Sequence, residues 1–221
     1  MIYLSGAVTQ MLLANPRPDL GIMLQPGMGN VINFRFIRWA ADNGCFAKGM
    51  DFDSGDWLAW LASVRQGRDT CLFAVAPDFL GDAGATLERS RPFLPTIRQM
   101  GFPAAFVTQD GCTPDLVPWD DLDTLFVGGS DQWKFCPASV ALMTEARTRG
   151  KWVHMGRVNS YDRMTRCLES RCDSADGTFL CFGPDQNLPR LFSWLDRING
   201  PGPQLPVHHA PGQQTLWSDH D

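Results

Sequence analysis

The stretch TCLFAVAPDFLGDAGATLERSRPFLPTIRQMGFPAAFVTQDG, residues 70–111, carries the pattern on which the fold turns. Its two apolar runs, 70–76 and 103–108, are too short for buried helices and read as strands. Between them, 82–100 has helical spacing. A strand, a loop bearing a carboxylate, a helix and a second strand in short succession is the arrangement of parallel strands joined by a crossover helix.

The alternation continues in both directions. Apolar runs at 2–6, 20–24, 36–41, 123–128, 151–155 and, weakly, 171–173 bring the strand candidates to eight. A helix is expected over 54–66, where Trp57, Leu58, Trp60, Leu61 and Val64 share one face behind an Asp53 or Ser54 cap. Others are expected at 137–149 with Pro137 in the first turn, at 160–170 capped by Ser160, and at 187–199 capped by Asn187 and ended by Gly200. Residues 25–35, with Pro26, Gly27, Gly29 and Asn30, read as loop. The fold expected is α/β: a compact (βα)8 TIM-like barrel with some short or missing helices. Periodicity does not show closure, so an open doubly wound sheet is the alternative. Residues 1–200 are expected to form one catalytic domain, and 201–221, rich in Pro, Gly and Gln, a tail in which His208 and His209 are solvated.

At 221 residues and 44% hydrophobic, the chain has the material for one core. No run approaches the ~18 apolar residues of a membrane span, so a cytoplasmic protein without membrane contact is expected. Seven cysteines, 45, 71, 112, 136, 167, 172 and 181, sit mostly in apolar runs and read as reduced thiols. Only Cys167 and Cys172 are close in sequence, with no second pair at zinc-finger spacing, so no metal is expected. The net charge of −5 gives no broad attraction to a phosphate backbone, although a strip such as Arg35, Arg38 and Lys48 could still meet one.

The residues just after each strand are the informative feature. The expected strand ends lead into ADNGCF with Asp42, PDFLGD with Asp78, TQDG with Gln109, GGSDQW with Gly128 and Gly129, GRVNS with Arg157 and Asn159, and DSADG with Asp173 and Asp176. In a parallel barrel these points converge on one mouth, where the active sites of such barrels lie. Capping and chain reversal account for an Asp or a Gly taken singly, but Gln109 and Phe46 are not turn formers. No G-x-S-x-G elbow, phosphate-binding loop or dinucleotide fingerprint occurs. His154, at a strand end, reads as packed. Carboxylates are left as the main reactive groups, and a pair of them suits chemistry at a sugar anomeric carbon. Asp and Gln side chains with an exposed Gly-Gly backbone suit a purine edge, and Phe46 suits its face.

In this ordered set the chain resembles the tRNA-guanine transglycosylase superfamily, most closely the phage and bacterial enzymes that place 7-deazaguanines in DNA. ADNGCF resembles the family's D-S-G-G-F, implying Asp42 as general acid/base and Phe46 as cover for the base. APDFLGD and FVTQDG resemble the strand ends that hold the base edge, implying Asp78 and Gln109, and LFVGGS resembles I-G-G, implying backbone contacts from Gly128 and Gly129. WVHMGRVNSYDRMTRCLESRCDSADG is similar to L-M-G-V-G, a helix, then F-D-S-A; this implies Asp173 as nucleophile, with Asp176 next in line if the register shifts. Arg157 and Asn159 are further candidates on this stretch. The resemblance covers about residues 36–182 but lacks the family's zinc subdomain and RNA-binding domain. It implies guanine exchange for a base such as preQ0 without a cofactor; those departures and the acidic charge favour DNA, or a nucleotide-level substrate, over tRNA, and leave a homodimer or a partner protein open. A base hydrolase using water, and a non-catalytic deazapurine- or nucleic-acid-binding protein, are the alternatives.

Overall fold

The computed structural model describes residues 1–6, 9–27, 37–48 and 52–200. Arg35, most of the expected 25–35 loop, the Lys48 side chain and the 201–221 tail with its two histidines lie outside the described residues. Eight strands, β1 Ile2–Ser5, β2 Leu20–Leu24, β3 Arg38–Ala41, β4 Cys71–Val75, β5 Ala104–Thr108, β6 Thr124–Val127, β7 Trp152–Met155 and β8 Ser174–Gly177, close into a parallel barrel in sequence order, with β8 paired to β1. The α/β barrel is therefore the architecture, and the open sheet is excluded.

Alternation along each strand makes two cores. One fills the barrel interior with Leu4, Met23, Phe73, Val75, Val107 and Trp152. The other lies between the outer strand faces and the helices, where Ile22, Trp39, Phe106, Leu125 and Val153 share one cluster with Trp57, Leu94, Leu142 and Leu191. Around the barrel run α1 Thr9–Ala14, α2 Cys45–Lys48, α3 Ser54–Ser63, α4 Ala83–Ser90, α5 Phe93–Gln99, α6 Asp131–Lys134, α7 Pro137–Thr148, α8 Tyr161–Glu169 and α9 Pro184–Asn199. Three are four to six residues long, in keeping with the short chain.

Capping residues behave as their chemistry dictates: Asp53, Asp82, Ser130 and Ser160 each accept a bond from a first-turn N–H. Three expected boundaries are corrected. The 82–100 segment is two helices, because Pro92 has no N–H to continue the ladder and instead caps α5. The helix expected over 54–66 ends at Ser63 and tightens into a 3-10 turn over Arg65–Thr70. The last helix starts at Pro184 behind a left-handed Gly183 (φ 70°), while Asn187 donates to the carbonyls of Phe179 and Phe182. The eighth strand also begins three residues later than expected, which moves the site. Among the described residues no helix is long and apolar enough to cross a membrane, and all seven cysteines are free thiols.

Candidate active site

The C-terminal ends of the strands surround a cavity of about 700 Å³. Asp42, Phe46, Asp78, Gln109, Gly128, Gly129, Arg157 and Asp176 all line it, so seven positions expected from the sequence, together with the runner-up Asp176, meet at one place.

Asp173 does not. It precedes β8 at the N-terminal end of the barrel, 5% exposed, where Oδ2 accepts from the Val153 N–H at 2.8 Å and Oδ1 meets Arg147 Nη1 at 3.3 Å. The expected nucleophile is thus a structural carboxylate, and the carboxylate at the mouth end of β8 is Asp176. Asn159 is likewise structural: its Oδ1 accepts from the Thr178 N–H at 2.7 Å. A Cβ on Gly177 would collide with that oxygen, with the Tyr3 hydroxyl and with the Val158 carbonyl, which explains a glycine at the end of β8.

Asp42 follows β3, its N–H bonded to the Leu24 carbonyl at 2.6 Å and its carbonyl accepting from Trp57 Nε1 at 3.3 Å. Burial, with the neighbouring charges of Asp176 and Asp78 adding to it, pushes its carboxyl up to about 7. Near neutrality this group both holds and releases a proton, as a general acid/base must.

Asp78 is 7% exposed and clamped at both oxygens, by Asn43 Nδ2 at 2.9 Å and Gln109 Nε2 at 2.7 Å. Burial raises its pKa, and these bonds work against the rise. Gln109 is fixed at its other end, where Oε1 accepts from the Gly81 N–H at 3.1 Å. A carboxylate offers about four lone-pair directions, so Asp78 keeps acceptor capacity for a ligand's N–H groups.

The two glycines are demanded by space and backbone. Gly129 has φ 74°, and a Cβ there would lie 2.6 Å from the Trp133 ring and 2.7 Å from Asp110. A Cβ on Gly128 would come within 2.7 Å of Val107. The Gly129 carbonyl accepts from Arg157, whose guanidinium also lies 5.2 Å from the centre of the Phe46 ring. Arg157 itself is left-handed (φ 58°), a conformation that costs energy for a residue with a side chain and that here joins the rim from β6 to β3. Phe46 is 62% exposed at the rim, where its ring can cover a flat ligand.

Three residues with a bearing on the site were not assigned to it from the sequence. Asn43 completes the Asp78 clamp and accepts from the Cys45 N–H at 2.7 Å. His154 is packed, as expected, against Phe73 and Phe126, but its Nε2 also lies 2.9 Å from Asp176 Oδ1. Lys134 is 2% exposed with no hydrogen bond to its Nζ, and burial pulls its pKa down to about 8, the Arg157 charge pulling in the same direction. Strand position flagged His154; nothing in the local sequence distinguishes Lys134 from a surface lysine. Among the described residues no cluster of three His, Cys, Asp or Glu side chains is arranged to hold a metal ion.

No family model matches the sequence, and no curated protein does. Among solved structures the chain is similar to one in the aminoacrylate- and BRD0059-bound form of tryptophan synthase from M. tuberculosis, with a TM-score of 0.53 and 14% identity over 89% of this chain and 88% of that one. It is also similar to the Bacillus subtilis YkuI protein, which has an EAL domain and is in complex with substrate c-di-GMP and calcium, with a TM-score of 0.40 and 12% identity over 75% of this chain and 44% of that one. At such identity the tryptophan synthase likeness speaks to the fold alone, and it is the fold described above: a closed, eight-stranded α/β barrel of the TIM type.

Proposed function

We propose that this barrel is a transglycosylase that exchanges guanine in nucleic acid, DNA in preference to tRNA, for a 7-deazaguanine such as preQ0, through a covalent glycosyl ester on Asp176. The observation that supports it is the order in which groups suited to base exchange succeed one another around one cavity: Asp42, Asp78, Gln109, Gly128–Gly129 and Asp176. That order is the one on which the sequence resemblance rests, with Asp176 now in the role it implied for Asp173.

In this reading a guanine turned out of its stack enters the cavity, at a cost of a few kcal/mol. Its N1–H and amino group donate to Asp78, held in place by Asn43 and Gln109. The Asp176 carboxylate attacks C1′ as the bond to guanine N9 breaks, and protonated Asp42 gives its proton to the departing base. The ionised Asp42 then takes the N9 proton of the incoming base, whose N9 displaces Asp176 from C1′. Two inversions give net retention.

The test is incubation with guanine-containing DNA or tRNA and labelled guanine or preQ0, scored for incorporation. Asp176→Asn abolishes exchange and the trapped ester. Asp173→Asn lowers the melting temperature, since it weakens a buried ion pair, while folded protein still exchanges. Full activity in Asp176→Asn overturns the reading, and base release without incorporation transfers it to a hydrolase.

A further inference from the structure

The barrel interior is largely apolar, and one hydrogen-bonded line of polar side chains runs up through it. Four polar side chains climb β7 and β8 towards the mouth: Trp152, Ser174, His154 and Asp176. Trp152 Nε1, which can only donate, lies 2.7 Å from Ser174 Oγ. The serine hydroxyl, 2.8 Å from His154 Nδ1, still has its own proton to donate, and that nitrogen is in place to accept it. With Nδ1 accepting from the serine, the ring N–H is on Nε2 and faces the acceptor oxygen Oδ1 of Asp176, 2.9 Å away. His154 and Ser174 are both 0% exposed, and His154 is held between Phe73 and Phe126 with ring centres 4.8 Å and 4.5 Å away.

Polar groups are costly in such an interior unless paired, and here each is paired to the next, ending on the one carboxylate of this line that opens into the cavity. Apolar residues would fill the same space without that cost. We propose that His154 is the positioning residue for Asp176: its Nε2–H holds Oδ1 and fixes the rotamer, so that Oδ2 is the oxygen presented to C1′, while Ser174 and Trp152 fix the tautomer. The proposal rests on the transglycosylase reading for its chemistry, but the hydrogen-bonded line does not.

Two measurements separate the two. The first is ¹⁵N NMR of the histidine rings in the full chain, which has four histidines, with the His154 signals assigned by their loss in His154→Gln. The expected result is a protonated Nε2 and an acceptor Nδ1, with the Nε2 signal shifted in Asp176→Asn and the Nδ1 signal shifted in Ser174→Ala. A ring indifferent to both substitutions overturns the proposal, whatever the enzyme does.

The second is exchange kinetics in His154→Leu, which keeps bulk without a donor, and His154→Gln, which can donate and accept. Loss of a hydrogen bond to a charged group predicts a kcat about 10- to 100-fold lower in His154→Leu. KM for the incoming base should stay within about twofold, because the Asp78 clamp is untouched. His154→Gln should recover most of the loss. Wild-type kcat in His154→Leu would show that His154 only fills space and overturns the proposal. Should the His154 variants not fold, Ser174→Ala carries the same kinetic test at one remove, with a lowered kcat at unchanged KM expected and an unchanged kcat overturning it. If the wild-type protein exchanges no base at all, the transglycosylase reading falls, and the ring signals still decide whether His154 holds Asp176.

Discussion

Asp42 joins the barrel's stability to its chemistry. In an unfolded chain an aspartate titrates near ~3.9, and in the fold this one titrates at about 7, chiefly because it is buried. Between those values the folded chain keeps a proton that the unfolded chain has lost, so stability falls as pH rises through the interval and the full penalty stands above it. Asp42→Asn removes the penalty. Its stability advantage over the wild type, from denaturant titrations, should therefore grow by roughly 2–3 kcal/mol between about pH 5 and pH 8. In the proposed exchange reaction Asp42 is protonated for a base to leave and ionised for one to enter, so that reading predicts exchange that peaks near pH 7 and loses the peak in Asp42→Asn. Residues such as Asp42, Asp78 and Gln109 were legible because each comes straight after an apolar run that could only be a strand. Asp173 and Asp176 were not separable in that way. They lie three positions apart in CDSADG, and the difference between the two ends of the barrel lies in a register that only the pairing of β8 with β1 and β7 settles.

Among the elements, β8 shows where reading by hydrophobicity fails. Its inward side chains, Ser174 and Asp176, are polar because they bond to Trp152 and His154 on β7, so the strand has no apolar alternation to announce it. The other seven strands carry that signal and fall where it places them. Helix boundaries slipped only at Pro92, at Val64 and at Gly183, where one residue's backbone chemistry outweighs the periodicity. The short α1, α2 and α6 were missed, and α6 holds Lys134. Its Nζ lies 3.7 Å from Asp131, and its pKa of about 8 is below the ordinary ~10.5, so stability rises with pH between those values and the cost of burying the charge is full below about 8. Lys134→Met keeps the packing and removes the charge. It should raise stability by about 1–4 kcal/mol at pH 7, the gain shrinking above pH 8, as read from melting or denaturant curves.

For the molecule as a whole, the charge of −5 and the mouth pull in different directions. The large apolar side chains most exposed among the described residues, Phe46, Phe79, Leu80 and Phe182, all lie beyond strand ends, on the side where the proposed exchange would bring bases to stack. Arg157 lies against the Phe46 ring, and Arg163, ion-paired with Asp131, donates to the Arg157 carbonyl. If two such charges neutralise two phosphates of a single strand, a fourfold rise in salt, from ~50 to ~200 mM, should weaken binding only about sevenfold. Fluorescence anisotropy of a labelled oligonucleotide over that range checks the slope, and Phe46→Ala should weaken binding with the slope unchanged. Closure of the barrel has a consequence for synthesis. β1 pairs on one side with β8, and the two strands lie ~170 residues apart, which at ~5–20 residues per second is roughly 10–30 s of translation. For that time the barrel's first strand has one edge without its partner, and the nascent chain depends on β1–β2 pairing, or on a chaperone, to keep that edge from finding another chain.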